Sequence, residues 1–153
     1  MGRSIVSVVL GFLAGAFVVG LLEAAGHLMY PPPPDINLHD PDQLKAIIDK
    51  LPIGALIMVL VAWAGGSFAA GLVAALVAKN RKPMHALIVG CLQMLAGGVT
   101  MLMIPHPAWF VVMSFLIVVP SAWIGAMLAG VIQRSPPATG PQPYDMRERN
   151  MAC

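Results

Sequence analysis

Four runs of this chain stay almost free of charge for far longer than a soluble helix requires, and they dictate what it can fold into. They cover 4–29, 53–78, 84–104 and 110–132. Each is long enough to cross about 30 Å of hydrocarbon, which takes about 20 helical residues. The runs are continuous and lack period-two alternation, so they predict helices rather than barrel strands. Glu23 is the only formal charge inside any of them.

Composition agrees. Nine Lys or Arg and seven Asp or Glu leave 10% of the 153 residues charged, and 58% are hydrophobic. A soluble domain is nearer a quarter charged. No basic patch is large enough to follow a phosphate backbone, which excludes nucleic acid as a partner. The two cysteines, Cys91 and Cys153, lie in settings that exclude a disulfide framework. No large soluble catalytic domain fits in what remains.

Prolines punctuate the runs. Pro52 and Pro83 stand where the second and third helices begin, a position at which a missing N–H costs nothing. Pro105-His106-Pro107 leaves only a short turn between the third and fourth, predicting an antiparallel hairpin. The expected fold is all-α: an integral membrane four-helix bundle over 1–133, followed by a disordered cytoplasmic tail, 134–153, rich in Pro and Gly. Arg3, Lys79, Arg81, Lys82, Arg134, Arg147 and Arg149 fall on one side of such a bundle, with only Lys45 and Lys50 on the other. The positive-inside rule then predicts a multi-pass protein of the bacterial inner membrane with both termini cytoplasmic. Arg3 and Ala14-Gly15-Ala16 imitate a signal peptide, but the apolar run continues past them, so an uncleaved helix is expected.

The outer loop, 30–51, opens with Tyr30 and Pro31 to Pro34, a polyproline spacer. Asp40-Pro41-Asp42-Gln43 has the form of a helix start, and Leu44, Ile47, Ile48 and Leu51 follow on one face. A short amphipathic helix on the outer surface is predicted.

Lipid gives helices no hydrophobic reason to associate, so contact faces are read from small and polar residues. The first helix offers Ala16, Gly20, Glu23 and His27 on one face and a separate pair, Gly11 and Gly15. The third offers Ala86, Gly90, Gln93, Gly97 and Thr100, and the fourth Ser114, Ser121 and Gly125. The second has two such lines, Ala62-Gly66-Ala69 and Ser67-Gly71-Ala74-Ala78. Gly11, Gly15, Gly66 and Gly97 are the candidate helix-packing interface, and Pro120 is expected to kink the fourth helix.

Glu23 is the strongest functional signal. A carboxylate at that depth costs about 2–3 kcal/mol unless it is protonated, paired or solvated. Thr100, Ser114 or a loop amide are its expected partners. The candidate polar cluster is Glu23, His27, His106, Gln93, Thr100 and Ser114. The alternative for each is structural: the hydroxyls and Gln93 are also ordinary interhelical hydrogen-bonding groups. His27, His106 and Glu23 could hold a metal ion or haem on the outer face, but no H-E-x-x-H spacing is present. Ser67 lies outside any G-x-S-x-G, and no histidine is expected at its depth, so no catalytic residue is assigned and no enzyme is expected.

Tyr30-Pro31-Pro32-Pro33-Pro34, Leu51-Pro52-Ile53-Gly54-Ala55, Ala62-Trp63 and Ile104-Pro105-His106-Pro107-Ala108-Trp109-Phe110 together resemble small four-span bacterial membrane proteins. The resemblance covers Glu23 to Gly125 and implies the fold but no activity. Small multidrug-resistance transporters also carry a glutamate in their first helix. Glu23 lies further along its helix than in that family, and the proline-rich outer loop does not fit, so no site is carried over. The leading expectation is a non-catalytic accessory or structural subunit, or a homo-oligomer, working through lateral contacts with a membrane-protein partner. No cofactor is assigned. The alternatives are a small proton- or ion-coupled transporter using Glu23, and metal or haem binding through His27 and His106.

Overall fold

The computed structural model describes residues 2–31, 48, 50–104 and 106–134. Over these residues the chain is all-α. The helices are α1 (Gly2–Met29), α2 (Ile53–Val77), α3 (Lys82–Met103) and α4 (Ala108–Arg134). All four are long and apolar enough to cross a membrane, and their ends lie within two residues of the expected spans. The short outer-surface helix, the polyproline spacer beyond Pro31 and the tail fall outside the described residues, apart from a buried Ile48.

The helices do not share the core equally. α2 lies at the centre, packed on α1, α3 and α4, while α3 also touches α1 and α4. Those contacts describe a rhombus with α2 and α3 on its short diagonal. The reason is in the α2 sequence. Ala62, Gly66, Ser67, Ala70, Gly71, Ala74 and Ala75 are all buried, and residues this small let neighbouring backbones approach from several sides.

The α1–α2 contact is made by the separate glycine pair of α1, not by its Ala16–His27 line. Its α1 face is Ser7, Gly11 and Gly15, all buried, whereas Ala16 and Gly20 are exposed. A Cβ on Gly15 would lie 2.8 Å from the Gly66 carbonyl oxygen, and one on Gly66 would lie 2.8 Å from the Gly15 carbonyl oxygen. A Cβ on Gly11 would lie 2.7 Å from the Ala70 carbonyl oxygen. This reciprocal approach is available only to glycines and is the small-x-x-x-small mode of helix pairing. Gly11 and Gly15 are therefore engaged within the chain and are not free for a partner helix.

On the other side of α2, the built Cβ of Gly71 would strike the Ala122 backbone and that of Gly125 the Phe68 carbonyl, which brings α4 just as close. Ser67 Oγ donates across this contact to the Val118 carbonyl oxygen at 2.7 Å. α4 runs through Pro120 as one helix. At the end that carries the basic residues, Arg3 Nε donates to the Val77 carbonyl oxygen at 3.1 Å and Gln133 Nε2 to the Leu76 carbonyl oxygen at 3.1 Å. The last carbonyls of α2, which have no partner within their own helix, thus tie α1 and α4 to it.

Candidate functional site

Burial along the α3 line of small residues falls steadily: Ala86 and Gly90 are buried, Gln93 and Gly97 half-buried, Thr100 exposed. Helix contact is therefore tight at the basic end and relaxes towards the end that carries Glu23. Two cavities lie where it relaxes. One, of about 310 Å³, is lined by Phe12, Ala16, Glu23, Trp63, Gln93 and Thr100 among others. The second, of about 260 Å³, lies nearer the helix ends and includes Glu23, His27, Tyr30, Trp63, Thr100 and His106. Glu23, Trp63 and Thr100 line both cavities.

Glu23 is six residues before the end of α1, about 9 Å along the helix at 1.5 Å per residue. Its partner is Trp63, whose indole Nε1 donates to Oε1 at 3.0 Å. Among the described residues no other group hydrogen-bonds to the carboxyl. The expected partners are differently engaged. Ser114 is buried, lines neither cavity and donates to the Phe110 carbonyl oxygen at 2.8 Å, so it drops out of the cluster. Thr100 donates weakly to its own helix, at 3.3 Å to the Ala96 carbonyl oxygen.

The Trp63 ring meets three other helices. Besides Glu23 of α1, it covers Gly97 of α3, where a Cβ would lie 2.8 Å from the ring, and packs edge-on against Phe110 of α4 with centroids 5.7 Å apart. Phe110 is fully buried and belongs to a cluster with Leu56 and Leu60. His106 also stacks on Phe110, centroids 4.7 Å apart, and its Nδ1 lies 2.6 Å from the Ile104 carbonyl oxygen. That distance fits the tautomer in which Nδ1 carries the proton and donates. A continuous line of side chains thus joins the loop histidine to the membrane carboxyl: His106, Phe110, Trp63, Glu23.

Gln93 lines only the deeper cavity, where its side-chain amide presses on Gly15. His27 is exposed at the mouth of the shallower one. Among the described residues no three His, Cys, Asp or Glu side chains converge to hold a metal ion. The structure therefore brings five of the six expected cluster residues around two neighbouring cavities and adds Trp63 and Tyr30. Trp63 was foreseeable: an indole N–H within hydrocarbon needs an acceptor, and Glu23 is the one acid in any span.

No protein family, no curated protein and no solved structure matches this chain, so its function is argued from its own residues.

Proposed function

We propose that this chain is a non-catalytic, multi-pass protein of the bacterial inner membrane, both termini cytoplasmic, and that Glu23 is its working group. In this reading the carboxyl takes up and releases a proton, or a small cation in its place, as part of coupled transport. The observation that carries it is that Glu23 lines both cavities and is held, among the described residues, by a single Trp63 hydrogen bond. A carboxyl serving only as a structural acceptor gains most when all its lone pairs are satisfied. Here one N–H fixes the orientation of the group, and the adjoining space admits water or an ion.

Passage across the bilayer requires a further conformational step. Below the deeper cavity the helices close on Ala70, Ala74 and Val89, then on Ala75, Ala86, Ala126 and Ala129. The cavities correspond to a state open towards the outer side, and α1 or α3 would have to shift to expose Glu23 inwards. Proteoliposomes loaded with a pH-sensitive dye test the proposal. A proton gradient is expected to relax faster through the wild-type protein than through empty vesicles, and Glu23→Gln is expected to remove that flux while helicity and elution in detergent are unchanged. Equal flux from wild type and Glu23→Gln would refute it.

A second reading, an accessory subunit, keeps one specific support. Gly20 is exposed with nothing within 4 Å of the position of a Cβ, and Ala16 and Ala96 are exposed beside the same groove. That small-residue face suits a partner helix or a second copy of the chain. Gly20→Leu should then abolish stoichiometric co-purification from the native membrane without changing monomer stability.

A further inference from the structure

A further cavity lies far from Glu23, between α3 and α4 at the basic end, with a volume of about 500 Å³. That is within the range of small-molecule sites, roughly 300–1,000 Å³. We propose that it binds one anionic phospholipid, with the phosphate at Lys82 and an acyl chain along Trp123 and Met127.

Charge selects the headgroup. Lys82 is half-buried in the groove wall, and among the described residues no side chain or carbonyl accepts from its ammonium. Lys79 and Arg81 are exposed beside it. Among the described residues the only acid is Glu23, at the other end of the bundle, so none of them sets a carboxylate against a phosphate here. Basic pockets between spanning helices at this level attract anionic headgroups, with a gain equivalent to about fivefold in binding per cation.

Shape selects a whole lipid over a free anion. From Lys82 and Pro83 the groove runs into apolar territory along Trp123 and Met127, whose side chains are 41% and 61% exposed. Gly130 leaves its floor empty, with nothing within 4 Å of a built Cβ. Gln133, also in the wall, holds the end of α4 on the Leu76 carbonyl and so keeps the groove in place. An inorganic phosphate would use Lys82 and leave the apolar length unfilled.

Native mass spectrometry of the intact chain, after exchange from detergent into phosphatidylglycerol or phosphatidylcholine, reads the site directly. One retained phosphatidylglycerol per chain is expected, at least fivefold over phosphatidylcholine. Lys82→Gln should lower that retention about fivefold, and Lys79→Gln, outside the groove, should lower it much less. Gly130→Phe grows into open space, so it should fold normally and still expel the lipid. Equal retention of the two lipids, or equal effects of the two lysine changes, would overturn the proposal. So would displacement by inorganic phosphate together with no effect of Gly130→Phe, which would assign the groove to a free anion.

Discussion

An indole N–H and a carboxylate each lose water on entering hydrocarbon, and each recovers part of that loss in the other. In the pair formed by Trp63 and Glu23 the hydrogen bond also has a positional consequence, because the same indole leans on Gly97 and Phe110. Moving the carboxyl therefore disturbs contacts on α3 and α4. Interhelical hydrogen bonds in membranes are each worth about 1 kcal/mol. Trp63→Phe keeps an aromatic ring and removes the donor, so it should lower unfolding free energy in a detergent-denaturant titration by about that amount. The loss should shrink when Glu23 is already alanine, since the coupling has one partner left. Equal losses in both backgrounds would mean that the contact is only packing. Glu23 itself was legible in the sequence as the lone charge in a span. Its partner was overlooked although the indole N–H of Trp63 signalled it, because Thr100 and Ser114 were nearer in type to the usual polar residues of a bundle, and which carbonyl captures a hydroxyl depends on local helix geometry. Ser114 is engaged by the Phe110 carbonyl four residues before it.

Between helices, glycine decides which faces meet, and two glycines on α1 make the point by contrast. Gly15 lies against Gly66, Ala70 and the Gln93 side chain, whereas Gly20 faces open space. Gly15→Leu must separate α1 from α2 or fail to fold, and overpacking of this kind typically costs about 1–3 kcal/mol. Gly20→Leu should leave monomer stability within about 0.5 kcal/mol of wild type. Unfolding titrations of the two variants in the same detergent check both statements, and similar losses would contradict this account of the α1 face. The four helices were legible because apolar length and proline punctuation are properties of the sequence itself. The Gly11–Gly15 pair of α1 was legible too, but not which of its two small-residue lines faces α2. Ala16, Gly20 and Glu23 also form a small, polar line, and only the opposing glycine of α2 shows that Gly11 and Gly15 make the closer approach.

At the scale of the whole molecule the two ends differ in kind. One is tied by Arg3 and Gln133 to the last carbonyls of α2 and closed by alanines, and the other opens into two cavities around a single carboxyl. If α3 or α1 shifts to expose Glu23 alternately, the tied end is the one that must release, and Arg3→Ala should loosen it without touching the carboxyl. The sidedness of this arrangement rests on charge: Lys79 and Arg81 in the turn between α2 and α3 and Lys82 at the start of α3 gather at one end, and only Lys50 lies at the opposite end among the described residues. Cysteine labelling in intact cells makes the orientation measurable. Cys91 is exposed on α3, midway along a helix long and apolar enough to cross a membrane, so a membrane-impermeant maleimide is expected not to reach it. In a background with Cys153→Ser, Pro31→Cys should react from outside and Lys79→Cys only after the membrane is permeabilised. The reverse pattern would invert the topology, turn the cavities towards the cytoplasm and place the Lys82 groove at the outer leaflet. It would also reverse the direction in which a proton gradient drives Glu23, so this labelling should precede any reading of flux.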